Sequence, residues 1–483
     1  MIIMDKKKLY DIVDKHQQTI TTLSDKVWEL AELSLLEYQT ADYYCELMEK
    51  LGFTVERQVA NVATAFSGSY GSGHPVIGIL GEFDALDGLD QAAGTAQRQR
   101  HSATNTCGHG CGHNMLGAAS LGAAIAIKEA IEAGELKGTV IFYGCPGEEG
   151  CAGKAFMARE GVFAHLDAAL TWHPGTTNKI TTGSNAASLQ YIYSFKGLSA
   201  HAAGDPWDGR SALDAAELMN VGANFLREHI APKECLHYSF LDVGGVSPNV
   251  VQPTASVLYM IRGENVRKAK ALKKRVDDIA QGAALMTGTT VTQRQIDGTS
   301  STLSNTVLEK LLFDNLKEVP LPQYTPEEWA LAKEIFATYP HESLPGDETV
   351  LANPAARAEV AEKSEKGTRV INDFIVPYVP GNTFSPGSTD VGDVSWLTPT
   401  AQFTAVTFAS GSPGHSWQNV SLGRSSIGHK GVIYAAKVLA ASVCDLMTDP
   451  DLLNKAKAEF ADTAAEGYDC PLEKDLIAGP QAL

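Results

Sequence analysis

Three clusters of metal-type donors, rich in or next to glycine, recur near the ends of short apolar runs in this chain, and that recurrence restricts the folds available to it. The clusters are Cys107-Gly-His-Gly-Cys-Gly-His113, Gly147-Glu-Glu-Gly150 and Trp172-His-Pro174. Glycine permits the bends that turn neighbouring side chains toward one point. Short apolar runs bounded by turn residues read as buried strands. Open α/β sheets gather their chemistry at the C-terminal edge of such strands.

In chain order, residues 5–52 read as two amphipathic helices closed by Gly52. A strand over 76–80 runs into Gly81-Glu-Phe-Asp-Ala-Leu86, leaving Glu82 and Asp84 at its end. A polar loop over 87–106 leads to the first donor cluster, and an Ala/Gly-rich helix is expected over 115–133. A strand over 139–143 precedes Glu148 and Glu149, a helix covers about 152–159, and a strand over 168–172 ends in His173.

From Ser188 the rhythm changes. The segments 189–195, 211–229, 236–243, 254–262, 266–286 and 289–295 alternate as β-α-β-β-α-β, the order of a ferredoxin-like sandwich. Helical pieces near 304–317 and 326–338 precede a stretch rich in Pro, Gly and charge, and no function is assigned to 300–380. A strand over 402–408, a loop carrying His415 and a last helix over 428–446 complete the chain. The expected division is a catalytic domain, 1–186 and 299–483, interrupted by an inserted domain, 187–298.

At 483 residues the chain exceeds one ordinary core, and 44% apolar with 20% charged residues is globular composition. A net charge of −18 argues against nucleic acid and anionic membranes as partners. The start, Met1-Ile-Ile-Met-Asp-Lys-Lys-Lys8, lacks the apolar core of a signal peptide, and no run of about eighteen apolar residues predicts a membrane span. Eight cysteines in such a chain are expected as reduced thiols, which places it in the cytoplasm.

Cys111 and His113, two residues apart, face one point only if the loop bends; alone they also read as a loop thiol beside a surface histidine. Glu148 and Glu149 sit between glycines after an apolar strand, where solvation explains an acidic pair poorly. One carboxylate can hold a metal while the other moves a proton. His173 and His415 each have a plain structural reading. A thiolate, imidazoles and carboxylates at one sheet edge favour a borderline-soft divalent metal.

Gly108-His-Gly-Cys-Gly-His-Asn-Met-Leu-Gly117, Tyr143-Gly-Cys-Pro-Gly-Glu-Glu-Gly150, Ala169-Leu-Thr-Trp-His-Pro174, Gly244-Gly-Val-Ser-Pro-Asn-Val-Val251 and Ser388-Thr-Asp-Val-Gly-Asp-Val-Ser-Trp396 resemble the M20 metallopeptidases. The resemblance is to the amidohydrolase branch with a Cys-Gly-His metal motif. It implies a zinc-peptidase-like α/β catalytic domain, a mixed sheet flanked by helices, with an inserted ferredoxin-like α+β lid and dimerisation domain.

It further implies two divalent ions per subunit, Mn or Zn. Cys111 would bridge them, with His113 and His415 on one and Glu149 and His173 on the other. Glu148 would be the general base, and Asp84 would orient the ligands from behind. His201, in Gly197-Leu-Ser-Ala-His-Ala202, would reach a neighbouring subunit's site, and Asn249 and Arg262 would hold the substrate carboxylate. Glu82 and His109 stay outside the ligand set, and Asn114 stands where many relatives carry Asp.

The implied reaction is hydrolysis of an N-acyl amino acid, p-aminobenzoyl-glutamate foremost, by a homodimer or a heterodimer joined through the lid. Another N-acyl amino acid or a dipeptide, a non-catalytic partner subunit, and a hydrolase using Cys111 as nucleophile are the alternatives.

Overall fold

The computed structural model describes residues 5–341 and 344–479. Its frame is a seven-stranded mixed sheet in the order Thr54–Arg57, Phe66–Ser72, Gly138–Cys145, Val76–Glu82, Ala168–Gly175, Thr400–Val406, Lys179–Thr181. The four central strands, from Gly138–Cys145 to Thr400–Val406, run parallel. Those at both sides are antiparallel. Parallel strands are buried on both faces, which is why Val76–Glu82 and Ala168–Gly175 are near-continuous apolar runs. Their shared direction delivers Glu82, Cys145, His173 and the loop after Val406 to one edge.

The helix His113–Glu132 is buried along almost its whole length, beneath the sheet and against Gln17–Leu30 and Ser426–Thr448. Small residues allow that close approach: a Cβ at Gly122 would lie 2.7 Å from Ile20 Cδ1. Burial on all sides explains why this helix is apolar all round. Ser426–Thr448 is itself long and apolar enough to span a membrane by length and composition. The sequence reading expected this helix over 428–446 but no run of membrane-spanning length; it is mostly buried and packs on His113–Glu132 as a core helix.

The second unit is a four-stranded antiparallel sheet ordered Thr290–Thr299, Ala187–Lys196, Thr254–Gly263, Cys235–Asp242. Helices Ala212–Leu226 and Val266–Thr287 cover one face around a core including Tyr193, Tyr259, Met219 and Leu272. This is the expected ferredoxin-like order. At the seam, Asn185 N donates to Thr302 Oγ1 (3.1 Å) and Thr302 N donates to Asn185 Oδ1 (2.7 Å).

Several expectations need correction. The start of the chain forms three helices, Lys6–Lys15, Gln17–Leu30 and Tyr38–Lys50, because the backbone breaks at His16 and turns left-handed at Ala31 (φ 41°). The strands Thr54–Arg57 and Phe66–Ser72 escaped notice, since the first is only four residues long and Ser and Gly interrupt the second. His173 lies inside its strand, which continues to Gly175 opposite Val406. Ser426–Thr448 is not last: Asp449 caps a further helix, Pro450–Thr463, by accepting from Asp451 N and Leu452 N.

Candidate metal centre

The loop after Val76–Glu82 places Asp84 beneath the site, and the bend at Gly112 (φ +86°) starts the helix at His113. A Cβ at Gly112 would come 2.9 Å from both Phe408 Cζ and Pro174 Cβ. The loop carrying Cys111 and His113 is therefore packed against the strand that carries His173 and the segment leading to His415. His415 has φ +50°, a left-handed conformation uncommon for a non-glycine residue and recurrent at functional sites.

Cys111 belongs to two donor groups, one with His113 and His173 and one with Glu149 and His415, the ligand atoms of each lying within 4.8 Å of one another. Cys111 Sγ is 3.4 Å from His173 Nε2, and His415 Nε2 is 3.3 Å from Glu149 Oε2. The two groups pair His113 with His173 and Glu149 with His415, which exchanges His173 and His415 relative to the partition implied by the resemblance. The His113 and His173 rings meet edge to face at 5.7 Å, whereas His415 arrives on the opposite loop.

The ring nitrogens facing away from the sulfur are committed. His113 Nδ1 pairs with Asp84 Oδ1 at 2.8 Å, and His173 Nδ1 with the Pro174 carbonyl at 2.7 Å. That assignment leaves both Nε2 lone pairs for a ligand. His113 Nε2 is buried without a hydrogen-bond partner, although Glu82 Oε2 lies 3.1 Å away off-axis, and Glu149 Oε1 is also buried and unpartnered. Orphaned buried donors among sulfur, nitrogen and oxygen ligands fit a pair of borderline-soft divalent cations.

Burial pushes the Cys111 thiol up to about 12, so with protein groups alone it stays protonated. A cation is the missing influence that would ionise it. Burial, followed by the Glu82 and Asp390 carboxylates, holds Glu148 well above the usual carboxylate range. Burial alone would raise Asp84, but His113, Glu149 N and Ser34 together hold it down at about 2. His109, pushed down to about 4 mainly by burial, meets the Val27 carbonyl and lies in neither donor group.

The inserted domain's candidates stand apart from this cluster. His201 and Asn249 are exposed; His201 Nδ1 accepts from Ala203 N and Gly204 N, and the Asn249 carbonyl accepts from Ala202 N. Among the described residues, no hydrogen bond or ion pair joins either to the donor groups. Arg262 is not a free strand residue: its Nη1 donates to Ser388 Oγ (2.5 Å) and the Pro386 carbonyl (3.2 Å). A cavity of about 240 Å³ at the seam, lined by Thr182, Asn185, Thr302 and Ser388, includes none of the donor residues.

Sequence reasoning missed Lys154, which is fully buried between Glu82 and Asp390. The available signal was a single charge in the otherwise small and apolar stretch Gly150-Cys-Ala-Gly-Lys-Ala-Phe-Met157.

The profile of peptidase family M20/M25/M40 matches residues 78–419. The chain is 43% identical over 472 residues to one of the subunits of p-aminobenzoyl-glutamate hydrolase of Escherichia coli (strain K12), covering 97% of this chain and 98% of that one. It is 24% identical to the Xaa-Arg dipeptidase of Mus musculus, over 94% of this chain and 92% of that one. Among solved structures, an aminobenzoyl-glutamate utilization protein from Klebsiella pneumoniae superposes with a TM-score of 0.58 at 17% identity, covering 89% and 98% of the two chains. A dinuclear metal-binding M20 peptidase from Bacillus subtilis superposes with a TM-score of 0.55 at 16% identity, covering 90% and 99%. The chain belongs to peptidase family M20/M25/M40.

Proposed function

We propose that this amide-bond hydrolase cleaves p-aminobenzoyl-glutamate to p-aminobenzoate and glutamate. The 43% identity to a hydrolase named for that substrate, across nearly the whole of both chains, supports the choice. The observation that carries the chemistry is Cys111 shared between two donor groups, with Glu148 beside them. Cys111, His113 and His173 would hold one divalent ion, and Cys111, Glu149 and His415 the other, Mn or Zn in each case. Bound there, the ions would supply Lewis-acid polarisation of the scissile carbonyl and acidify the attacking water.

The chain's own part is to move a proton and hold the substrate. Glu148, kept proton-hungry by burial and neighbouring carboxylates, takes the proton from the attacking water and returns it to the leaving nitrogen. Arg262, beside Ser388 at the seam, offers a guanidinium fork to the substrate carboxylate, with Asn249 contributing from the same domain. His201, exposed on the inserted domain, would serve a second subunit's oxyanion. A homodimer, or a heterodimer with a related subunit, joined through that domain is the assembly that role requires. Two relatives named as different subunits of the same Escherichia coli hydrolase, 43% and 26% identical to this chain, support a two-subunit arrangement. The cytoplasm is its proposed location.

The test is release of p-aminobenzoate by the purified, metal-loaded chain beside Glu148→Gln. Wild type should turn over, and the variant should lose about 10²–10⁴-fold in kcat with unchanged metal content. No turnover from metal-loaded wild type would lead to a panel of N-acyl amino acids and dipeptides and to a search for a missing partner subunit. Activity that survives a chelator but not a thiol alkylator would instead favour Cys111 as nucleophile.

A further inference from the structure

Lys154 lies fully buried behind the donor groups, and no step above uses it. Its ammonium is 2.7 Å from Glu82 Oε1 and 2.6 Å from Asp390 Oδ1. Its backbone N–H donates to Asp390 Oδ2 at 2.8 Å, so Asp390 grips it by main chain and side chain together. With one Glu82 oxygen bound to Lys154, the other sits 3.1 Å from His113 Nε2. Glu82, His113 and Glu148 bring ligand atoms within 4.8 Å of one another.

A buried ammonium is expensive to desolvate, and an apolar side chain of similar length would fill the space at lower cost. What Met or Leu could not do is fix a carboxylate. Among the described residues, Lys154 and His113 are the ion-pair partners of Glu82. Without Lys154 the flexible Glu82 side chain has no anchor on the side away from the site. The anchor's own support, Asp390, lies two residues beyond Ser388, which takes the hydrogen bond from Arg262 of the inserted domain.

We infer that Lys154 is a positioning residue: clamped by Asp390, it holds the Glu82 carboxylate in place beside His113 and Glu148, and so fixes the negative charge that faces the general base. The inference deepens the proposed amide hydrolysis and rests on Glu148 as its base. A filler role in the core is the competing account.

Lys154→Met combined with Asp390→Asn removes one positive and one negative charge, leaving the buried net charge unchanged. The expected result is a folded, metal-loaded enzyme whose kcat on p-aminobenzoyl-glutamate falls about tenfold or more while KM stays within about twofold. Its crystal structure should show the Glu82 carboxylate moved away from its place beside His113 and Glu148. Wild-type kcat, a kcat loss merely proportional to lost fold or metal, or Glu82 unmoved overturns the inference. Should the double variant not fold, Lys154→Arg keeps the charge but changes its shape. The same split of kcat from KM is then expected, and wild-type kcat overturns the inference. If wild type hydrolyses no such substrate, the proposed reaction fails, while the position of Glu82 still decides whether Lys154 holds it.

Discussion

One carboxylate, that of Asp84, ties the two donor groups together: Oδ1 meets His113 Nδ1 at 2.8 Å, and Oδ2 accepts from Glu149 N at 2.9 Å. Ser34 Oγ adds a third bond, to Oδ2, at 2.7 Å. Asp84 therefore sets the ring orientation in one group and the backbone position in the other. Asp84→Asn keeps the shape but cannot accept from all three donors as a carboxylate does. Partners behind metal ligands typically govern about 10–100-fold in metal affinity. A loss of that size, read by competition with a chelating dye while the thermal midpoint stays near wild type, is the expected outcome. Unchanged affinity would mean the ligands orient themselves.

Gly112 gives a second, backbone-level test. Its φ of +86° lies where a non-glycine residue costs about 1–2 kcal/mol, and an added Cβ would press on Phe408 and Pro174. Gly112→Ala should cost at least that much in stability. It should also weaken metal binding, because Cys111 and His113 flank the bend. Gly134, also at positive φ (+74°) but with nothing within 4 Å of a Cβ, is the control: Gly134→Ala should cost stability without touching metal affinity.

How far the sequence disclosed all this depended on whether the signal was local. Strands such as Val76–Glu82 and Gly138–Cys145 announce themselves as apolar runs, and their ends name Asp84, Glu148 and Glu149. The inserted domain's β-α-β-β-α-β order follows from the same local patterns. What stayed hidden depends on contacts between distant segments. Which histidine shares a group with which depends on how the Gly112 bend crosses the His173 strand, and Cys111 and His173 are 62 residues apart in sequence. Lys154 with Asp390 joins positions separated by 236 residues, and neither residue's neighbours announce the pairing. The break at His16 was invisible because the apolar periodicity continues through it.

The seam between the two units carries a stability signature in pH. Burial, the main cause, raises Asp393 to about 7 even though Ser300 N, Ser300 Oγ and Tyr468 OH donate to it. An unfolded Asp titrates near about 4. The folded chain thus binds this proton more tightly than the unfolded one. Its contribution is fully present below about pH 4 and is lost as pH rises through about 7. Asp393→Asn abolishes that titration. The stability of wild type minus variant should fall across this window, on the order of a few kcal/mol, when unfolding is measured at successive pH values. A difference independent of pH would show that Asp393 stays ionised in the fold.

The surface of the inserted domain bears on assembly. Among the described residues, ten of the thirteen exposed large apolar side chains belong to 187–298, including Trp207 (70% exposed), Phe225 (73%) and Leu285 (85%). Val221 and Phe225 lie one turn apart on Ala212–Leu226, and the strand Cys235–Asp242 forms an edge of its sheet, paired on one side only. An apolar patch beside an open edge is the kind of surface that another chain covers. Glu at both Val221 and Phe225 puts charge on that face without entering the core, where surface changes usually stay within about 0.5 kcal/mol. The double variant should sediment as a monomer with a wild-type thermal midpoint. If His201 acts across the interface, the monomer should lose kcat while keeping its metal. A wild-type chain that already sediments as a monomer, or a variant that stays associated, would place the interface elsewhere.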